Sequence, residues 1–352
     1  MGVSGPIDLR SDTVTRPPPA MRRAMANAEV GDDVLDGDPT TRRLEDTIAE
    51  LFAVEAALFF PSGTQANQTA VWVLTEPGTE LVLEAHAHIV HYEQAGAAAL
   101  SGVQVRPVST PDGILTAELV AGALRPESPH VPAVSAIAVE NTHNAAGGKV
   151  MRVKVWDELV ALARDRNLPL HLDGARVWNA AIAQSEELAR VVKGARTVSV
   201  CLSKGLGCPV GSCLLSDRAL IERARRVRRR LGGGMRQSGV LAAAGLYALE
   251  NNLDRLAADH ANAVLLAEGL ADHPYVKPVP PESNIIMLDL ITPGLTAEYF
   301  LPKLADAGVL LVPFGPSRLR AVTHIDVTAE QVAQAADIIA SVLDCEGGSA
   351  CA

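Results

Sequence analysis

This sequence has few aromatic residues, no excess of basic charge and no long apolar runs. Phe, Tyr and Trp make up 3% of the 352 residues, so aliphatic side chains must build the core. The 41 acidic residues outnumber the 31 basic ones and give a formal charge of -10, which argues against a general nucleic-acid binder. No apolar run is long enough for a membrane helix, and the first residues lack the apolar segment of a secretory signal.

Cysteine is also rare, and its spacing provides no CxxC motif. The chain has five cysteines, which are Cys201, Cys208, Cys213, Cys345 and Cys351. An odd number of thiols in a long chain without a visible secretory signal favours reduced cysteines over a disulfide framework. We therefore expect a cytoplasmic protein.

Aliphatic residues are abundant instead, and their pattern predicts an α/β fold. Apolar residues make up 48% of the chain, which excludes disorder. Predicted strands cover residues 56–60, 133–139, 170–173 and 197–202. Helical patterns lie between them, which is typical of a mostly parallel sheet flanked by helices. We place the N-terminal segment and this large domain at residues 1–250.

A smaller C-terminal α+β domain is predicted for residues 251–352. A single long helix over residues 240–270 would cross the boundary. Strands are predicted over residues 284–290, 310–313 and 319–327, and a closing helix begins after Thr328, which would cap it.

Three short segments could bind a charged ligand. Pro61–Gln65 follows a predicted strand and opens a helix, so its backbone N–H groups could hold a phosphate beside Gly63 and Thr64. An ordinary turn capped by Thr64 is the alternative.

Asp173 ends an apolar strand at the edge where α/β sheets bind ligands, with Arg176 nearby for a second anion. A structural Asp–Arg pair is equally compatible with this spacing.

Lys204 closes another apolar strand before a glycine-rich loop. An amine in that position can lose solvation, which a Schiff-base lysine requires. A surface lysine is the alternative, and the apolar strand before Lys204 disfavours it. Pro61–Gln65 would form an anion cup. Together with Asp173 and Lys204, this cup supplies the parts of a pyridoxal phosphate site. Lys204 would hold the aldehyde, and Asp173 would keep the pyridine nitrogen protonated.

Several longer motifs then identify a family. The sequence resembles the L-threonine aldolases of the low-specificity type along nearly the whole chain, and the matching segments are residues 7–17, 61–67, 140–144, 171–176, 202–207, 232–239 and 322–326. This resemblance implies the aspartate-aminotransferase-like, pyridoxal-phosphate-dependent fold-type I. It also implies a homodimer or homotetramer with active sites shared between subunits.

The resemblance assigns a role to each matching position. Lys204 would bind the cofactor covalently, Asp173 would pair with its ring nitrogen, and Gly63 and Thr64 would bind its phosphate. Arg236 would reach the phosphate of a neighbouring subunit. The residues implied to hold the substrate carboxylate are Ser11, Arg176 and Arg320.

Two histidines are implied near the substrate hydroxyl. His88 matches the histidine that stacks on the cofactor ring, and His130 matches a second one. Imidazole suits proton transfer near neutral pH, so either residue could serve as the base, directly or through water. The implied reaction cleaves the Cα–Cβ bond of a β-hydroxy-α-amino acid such as L-threonine or L-allo-threonine, giving glycine and an aldehyde. Leu35 departs from the family, which has Tyr there.

Other functions remain open from the residues alone. A β-eliminating lyase, a racemase or an aminotransferase would use the same Lys204 and Asp173. A non-enzymatic anion-binding module could instead use the six arginines between Arg223 and Arg230, although such a run is more often a solvated helix face. The HxHxxH pattern of His86, His88 and His91 suggests zinc, but no fourth ligand follows from the pattern, and we expect no metal.

Overall fold

The computed structural model describes residues 5–126, 128–292 and 294–350. They form two compact units. The large unit is Pro17–Leu253, and the small unit combines the segment ending at Arg16 with the residues from Asp254 onward. Cys351 lies outside the described residues.

The strands and helices follow one another along both units. The described strands are β1 (Ile7–Asp8), β2 (Ala56–Phe60), β3 (Glu80–Glu84), β4 (Gln104–Val108), β5 (Val134–Glu140), β6 (Leu170–Gly174), β7 (Thr197–Cys201), β8 (Ser212–Ser216), β9 (Val276–Val279), β10 (Ile285–Leu290), β11 (Val309–Leu310), β12 (Val312–Pro313) and β13 (Arg318–Val322). The described helices are α1 (Pro19–Ala26), α2 (Pro39–Leu51), α3 (Gly63–Leu74), α4 (His88–His91), α5 (Gly96–Ser101), α6 (Ala117–Ala123), α7 (Val153–Asp165), α8 (Val177–Gln184), α9 (Leu188–Val191), α10 (Arg218–Arg230), α11 (Gly239–Asn251), α12 (Leu256–Gly269), α13 (Ala297–Asp306) and α14 (Ala329–Ala350).

A seven-stranded sheet organises the described part of the large unit. Its strand order is β2-β8-β7-β6-β5-β3-β4. β8 is antiparallel to both of its neighbours, whereas the remaining neighbouring pairs are parallel. The predicted mostly parallel α/β sheet is therefore confirmed. Parallel strands end at one edge, so the residues that follow β3, β5, β6 and β7 meet there.

The N-terminal segment does not belong to the large unit. Ile7 of β1 pairs in parallel with Val309 of β11, and Ile7 and Leu9 are buried in the core of the small unit. Assigning this segment to the large domain was therefore wrong, because a two-residue strand that pairs with residues about 300 positions away leaves no local pattern. The main division falls after Leu253.

Two predicted elements are shorter than expected. The helix over 240–270 is broken between α11 and α12, where the buried side chain of Asn252 donates to the Leu206 carbonyl. The strand over 319–327 ends at Val322, and just beyond it Thr323 Oγ1 donates to the Asp259 carbonyl at 2.6 Å. In both places a polar side chain makes a tertiary bond that the apolar pattern does not reveal.

The small unit contains an antiparallel sheet of order β12-β13-β10-β9. Helices α12, α13 and α14 contribute to its apolar core.

Among the described helices, none combines the length and apolar character needed to cross a membrane. Cys201, Cys208 and Cys213 are buried free thiols, and burial raises the pKa of Cys208 to about 12.

Candidate active site

A cleft of about 240 Å³ lies at the carboxyl edge of the large sheet. Its described lining residues are Pro61, Ser62, Gly63, Thr64, Asn67, His88, Asp173, Ala175, Cys201, Ser203, Lys204, Pro209 and Val210. The strand order explains this composition, because the ends of β6 and β7 are adjacent and α3 begins beside them. The cleft therefore gathers five of the residues predicted from sequence: Gly63, Thr64, His88, Asp173 and Lys204.

Asp173 provides a buried carboxylate to this cleft. It lies in β6, the central strand of the sheet, and is 2% exposed. Asn67 Nδ2 donates to its Oδ2 at 2.8 Å, and the Ala175 backbone N–H donates to its Oδ1 at 3.1 Å. These bonds fix the carboxylate in one orientation.

Lys204 lies just beyond the end of β7, in the loop that leads to β8. A turn bonds the Gly207 N–H to the Lys204 carbonyl at 2.8 Å, which holds the lysine backbone at the rim of the cleft. Among the described residues, no side-chain or backbone group hydrogen-bonds its amine. The amine is therefore available to a ligand in the cleft.

The N-terminus of α3 forms the anion cup. Ser62, rather than Thr64, is the N-cap, since its Oγ accepts from the Gln65 N–H at 3.2 Å. The first N–H groups of a helix have no acceptor within it, so those of Gly63 and Thr64 remain for an anion. A Cβ on Gly63 would lie 2.8 Å from Cys201 Sγ, so only glycine allows α3 to start this close to β7.

His88 begins α4 rather than lying on a strand. Its Nδ1 is 2.8 Å from Glu93 Oε1, and its side chain is 30% exposed. Burial acts to lower the pKa of His88, but the hydrogen bond to Glu93 and the charges of Asp173 and Glu93 raise it above its usual value, while Lys204 opposes this rise. The imidazole is thus a strengthened base beside the lysine.

The three histidines of the HxHxxH pattern do not converge. The rings of His86 and His91 stack on each other at 5.6 Å, and both residues are exposed. The potential ligand atoms within 4.8 Å of one another belong to His88, Glu93 and Asp173. The amide of Asn67 donates to both of those carboxylates, so a hydrogen-bonded network takes up the oxygens that a cation would need.

Asn67 and Glu93 are functional residues that sequence reasoning missed. Glu93 Oε1 also accepts from Asn67 Nδ2 at 2.8 Å, and Asn67 Oδ1 accepts from Ser199 Oγ and faces His171 Nε2 at 3.1 Å. Burial lowers the pKa of His171 to about 4, so this histidine is neutral. Asn67 ends the family-matching segment 61–67, one helical turn after Gly63, and this was the sequence signal available for it. Glu93 gave none.

Glu140 is a further missed residue, at the end of β5. Its Oε2 accepts from the His88 N–H at 2.7 Å, and its Oε1 accepts from the Asn144 N–H at 2.8 Å. Asn144 Oδ1 in turn accepts from Arg176 Nη1 at 3.3 Å. Arg176 is 4% exposed and follows Ala175 of the cleft. Glu140 thus ties the start of α4 to the segment that holds Arg176.

The structure does not bring His130 to this cleft. His130 is exposed on the loop that precedes β5, and the described cleft lining does not include it. β5 ends at Glu140, on the carboxyl edge of the sheet, and His130 precedes its first residue, so His130 lies near the opposite edge of the sheet. Its expected contact with the substrate hydroxyl stays a prediction.

The other predicted residues are not among the described lining residues of the cleft. Ser11 and Arg320 belong to the small unit, where Ser11 Oγ accepts from the Thr13 N–H and Arg320 Nη2 donates to the Arg10 carbonyl at 3.3 Å. Arg236 is at the surface of the large unit and pairs with Asp32 at 3.2 Å. The roles implied for these three residues remain predictions.

The arginine run lies on α10 and is not one continuous basic face. Arg228 is buried and donates to Asp33 Oδ2 at 2.7 Å and to the Phe59 carbonyl at 2.6 Å. Arg230 lies over the ring of Trp72 at 5.2 Å. Part of this charge therefore holds neighbouring elements together, and the remaining arginines form a solvated face.

The cleft fits pyridoxal phosphate. It supplies an amine without a hydrogen-bond partner among the described residues, a fixed buried carboxylate, and a helix N-terminus kept open by Gly63. These are the groups needed for the aldehyde, the pyridine nitrogen and the phosphate of that cofactor. Lys204, Asp173, Gly63 and Thr64 would hold it.

Comparison with known proteins agrees with this site. A sequence model of the beta-eliminating lyase family matches residues 8–292. Low-specificity L-threonine aldolase 1 of Arabidopsis thaliana is 44% identical over 333 residues, covering 93% of this chain and 93% of that protein. The low specificity L-threonine aldolase of Escherichia coli is 44% identical over 331 residues, covering 94% of this chain and 97% of that protein.

A solved structure supports the fold independently. The threonine aldolase of Leishmania major has a TM-score of 0.80 at 20% identity and covers 96% of this chain and 100% of that one. The chain therefore belongs to the beta-eliminating lyase family and, within it, to the low-specificity L-threonine aldolases, which are pyridoxal-phosphate-dependent lyases of fold-type I.

Proposed function

We propose that the protein cleaves L-threonine, L-allo-threonine and related β-hydroxy-α-amino acids to glycine and an aldehyde. The observation that carries this proposal is the position of His88. Its imidazole lines the same cleft as Lys204 and Asp173, so a base stands beside the groups that hold the cofactor. A retro-aldol cleavage needs such a base for the β-hydroxyl proton.

The reaction requires one proton transfer before the carbon–carbon bond breaks. His88 Nε2 accepts the proton of the β-hydroxyl, the oxygen becomes the aldehyde carbonyl, and the Cα–Cβ electron pair remains on Cα. Pyridoxal phosphate, when bound, supplies the electron sink for that pair. Asp173 would favour this by keeping a positive charge on the pyridine nitrogen. Return of the proton from His88 Nε2 to Cα completes glycine and restores the base.

Other residues position the substrate and cofactor in this proposal. Gly63 and Thr64 bind the phosphate through their N–H groups, and Arg176, held by Asn144, binds the substrate carboxylate together with Ser11 and Arg320. Arg236, exposed beside Asp32, serves the phosphate of a neighbouring subunit.

We propose a cytoplasmic homodimer or homotetramer, for which light scattering after gel filtration gives the mass. Buried free thiols at Cys201, Cys208 and Cys213 are consistent with a reducing compartment.

The test of the proposed activity is a substrate panel. Purified protein loaded with pyridoxal phosphate is mixed with L-threonine, L-allo-threonine and L-phenylserine, and both products are measured. We expect glycine and the matching aldehyde. Formation of 2-oxobutyrate from threonine, without glycine, would instead show β-elimination, the reaction that gives the family model its name.

The lysine assignment has its own test. Lys204→Ala should lose the absorbance of covalently bound pyridoxal phosphate and lose cleavage, because no other amine lines the described cleft. Lys193→Ala is the matched control, since Lys193 is exposed in the same unit. Absorbance that persists in Lys204→Ala would overturn the assignment.

A further inference from the structure

Glu93 is a buried carboxylate that the proposed cleavage has not yet used. Its side chain is 0% exposed, and three side chains lie within hydrogen-bond distance of it. Oε1 accepts from Asn67 Nδ2 at 2.8 Å and lies 2.8 Å from His88 Nδ1, while Oε2 accepts from Gln68 Nε2 at 2.6 Å. The amide nitrogens of Asn67 and Gln68 can only donate, so both oxygens of Glu93 act as acceptors.

This arrangement determines the tautomer of His88. Because Glu93 can only accept, the hydrogen between the two groups belongs to His88 Nδ1. A neutral imidazole then carries its lone pair on Nε2. The ring lines the cleft with Lys204, so the basic nitrogen is the one left for a ligand.

Asn67 keeps this carboxylate apart from Asp173. Its Oδ1 faces donors from Ser199 and His171, so its two Nδ2 hydrogens must point the other way. One goes to Glu93 and the other to Asp173 Oδ2. The two carboxylates thus share a donor rather than a proton.

We propose that Glu93 is the positioning residue of the proton transfer: it holds the Nδ1–H of His88, leaves the Nε2 lone pair to the substrate hydroxyl, and stabilises the imidazolium that forms. The inference rests on the proposed aldol cleavage. The hydroxyl O–H bond breaks, an Nε2–H bond forms, and Glu93 stays unprotonated throughout. The charged groups that face His88 are Glu93, Asp173 and Lys204, and Glu140 accepts from its backbone N–H.

Glu93→Gln is the direct test, because it removes the charge and keeps the shape. Gln68 can accommodate the new amide by rotating its own, since Gln68 Oε1 is buried without a hydrogen-bond partner among the described residues. The rate of His88 modification by diethyl pyrocarbonate, followed by peptide mass spectrometry from about pH 5 to about pH 8, reports its unprotonated fraction. We expect the midpoint to fall by about one pH unit in the variant.

The kinetics of the holoenzyme give a second readout. In Glu93→Gln the acid limb of the kcat/KM profile should move to lower pH by the same amount, since His88 loses its proton more readily. On the plateau kcat should fall about tenfold or more, part of the usual contribution of a general base. KM should change little, because Glu93 does not line the described cleft.

Two controls separate positioning from stability. Exposed His86 and His91 should keep their modification midpoints in every variant. Glu84→Gln removes another buried carboxylate beside a histidine, His143, at 3.0 Å, and should leave the His88 midpoint and kcat unchanged. If Glu93→Gln fails to fold, Glu93→Asp replaces it. That variant keeps the negative charge but moves the carboxylate oxygens away from His88. We therefore expect kcat to fall while the modification midpoint of His88 stays nearer the wild-type value.

The outcomes distinguish the two proposals. If the wild type produces no glycine and aldehyde, the aldol function is wrong, yet the modification experiment still tests the hold of Glu93 on His88. If the wild type cleaves threonine but Glu93→Gln keeps both the midpoint and the acid limb, the inference is overturned. A lower melting temperature with an unchanged midpoint would also overturn it, because that is the result of a purely structural carboxylate.

Discussion

At the scale of single residues, the environment of Asp173 shows how a buried carboxylate finds hydrogen-bond donors inside a protein. Its oxygens accept from Asn67 and from the Ala175 N–H, and these bonds offset part of the cost of burial. The neighbouring His171 is neutral because burial lowers its pKa to about 4. The carboxylate therefore faces the cleft, where a cationic ligand atom can pair with it.

Asp173→Asn should separate cofactor binding from catalysis. The amide can still accept from Asn67, and Lys204 is untouched, so pyridoxal phosphate should bind covalently. We expect kcat to fall about a hundredfold or more, the usual cost of removing a preorganised electrostatic partner. Asp157→Asn is the matched control, since Asp157 is half-exposed and pairs with Arg190 at the surface, where ion pairs contribute little. Equal kcat values in the two variants would contradict the role of Asp173.

At the scale of elements, the junction of α3 with β7 depends on Gly63. An added Cβ would meet Cys201 Sγ at 2.8 Å, and that thiol is itself held by Ser212 Oγ at 3.2 Å. Neither strand can move freely, because β7 and β8 are paired through four register positions. The start of the helix, which forms the anion cup, must therefore shift.

Gly63→Ala should lower stability by about 1–3 kcal/mol, the usual cost of overpacking, and weaken pyridoxal phosphate binding. Cys201→Ala in the same chain should recover both, since it removes the atom that the methyl group meets. Gly122→Ala is the control, because Gly122 of α6 has open space around its Cβ position and alanine favours a helix. Melting temperature and a cofactor titration measure the effects. The prediction fails if the double variant binds cofactor no better than Gly63→Ala.

Local patterns predicted the elements that carry the site, but not all of their neighbours. The strand over 56–60 and the strand that delivers Asp173 are present in the structure, because apolar runs bounded by turns are local signals. The antiparallel insertion of β8 between β2 and β7 and the break at Asn252 depend on partners distant in sequence. Glu93 was missed for the same reason: its importance comes from His88, Asn67 and Gln68 meeting it in space.

At the scale of the whole molecule, the response of stability to pH combines opposing contributions. Burial raises the pKa of Glu45 from 4.5 to about 7, against the Phe59 N–H and the charges of Arg225 and Arg228. Burial lowers the pKa of His171 from 6.5 to about 4, against the charge of Asp173. At a pH between the unfolded and folded pKa values, Glu45 is therefore protonated in the folded state and ionised in the unfolded chain. His171 is neutral in the folded state and protonated in the unfolded chain.

These signs predict opposite pH dependence in two variants. The Glu45 contribution is lost as pH rises from about 4.5 to about 7, whereas the His171 contribution is lost as pH falls from about 6.5 to about 4, each by about 3 kcal/mol. Relative to Glu45→Gln, the wild type should therefore become less stable on going from acidic to neutral pH. Relative to His171→Gln, it should become more stable over the same change. Urea unfolding at fixed protein concentration measures both differences, and a difference that is independent of pH would show that the group titrates alike in the folded and unfolded chains.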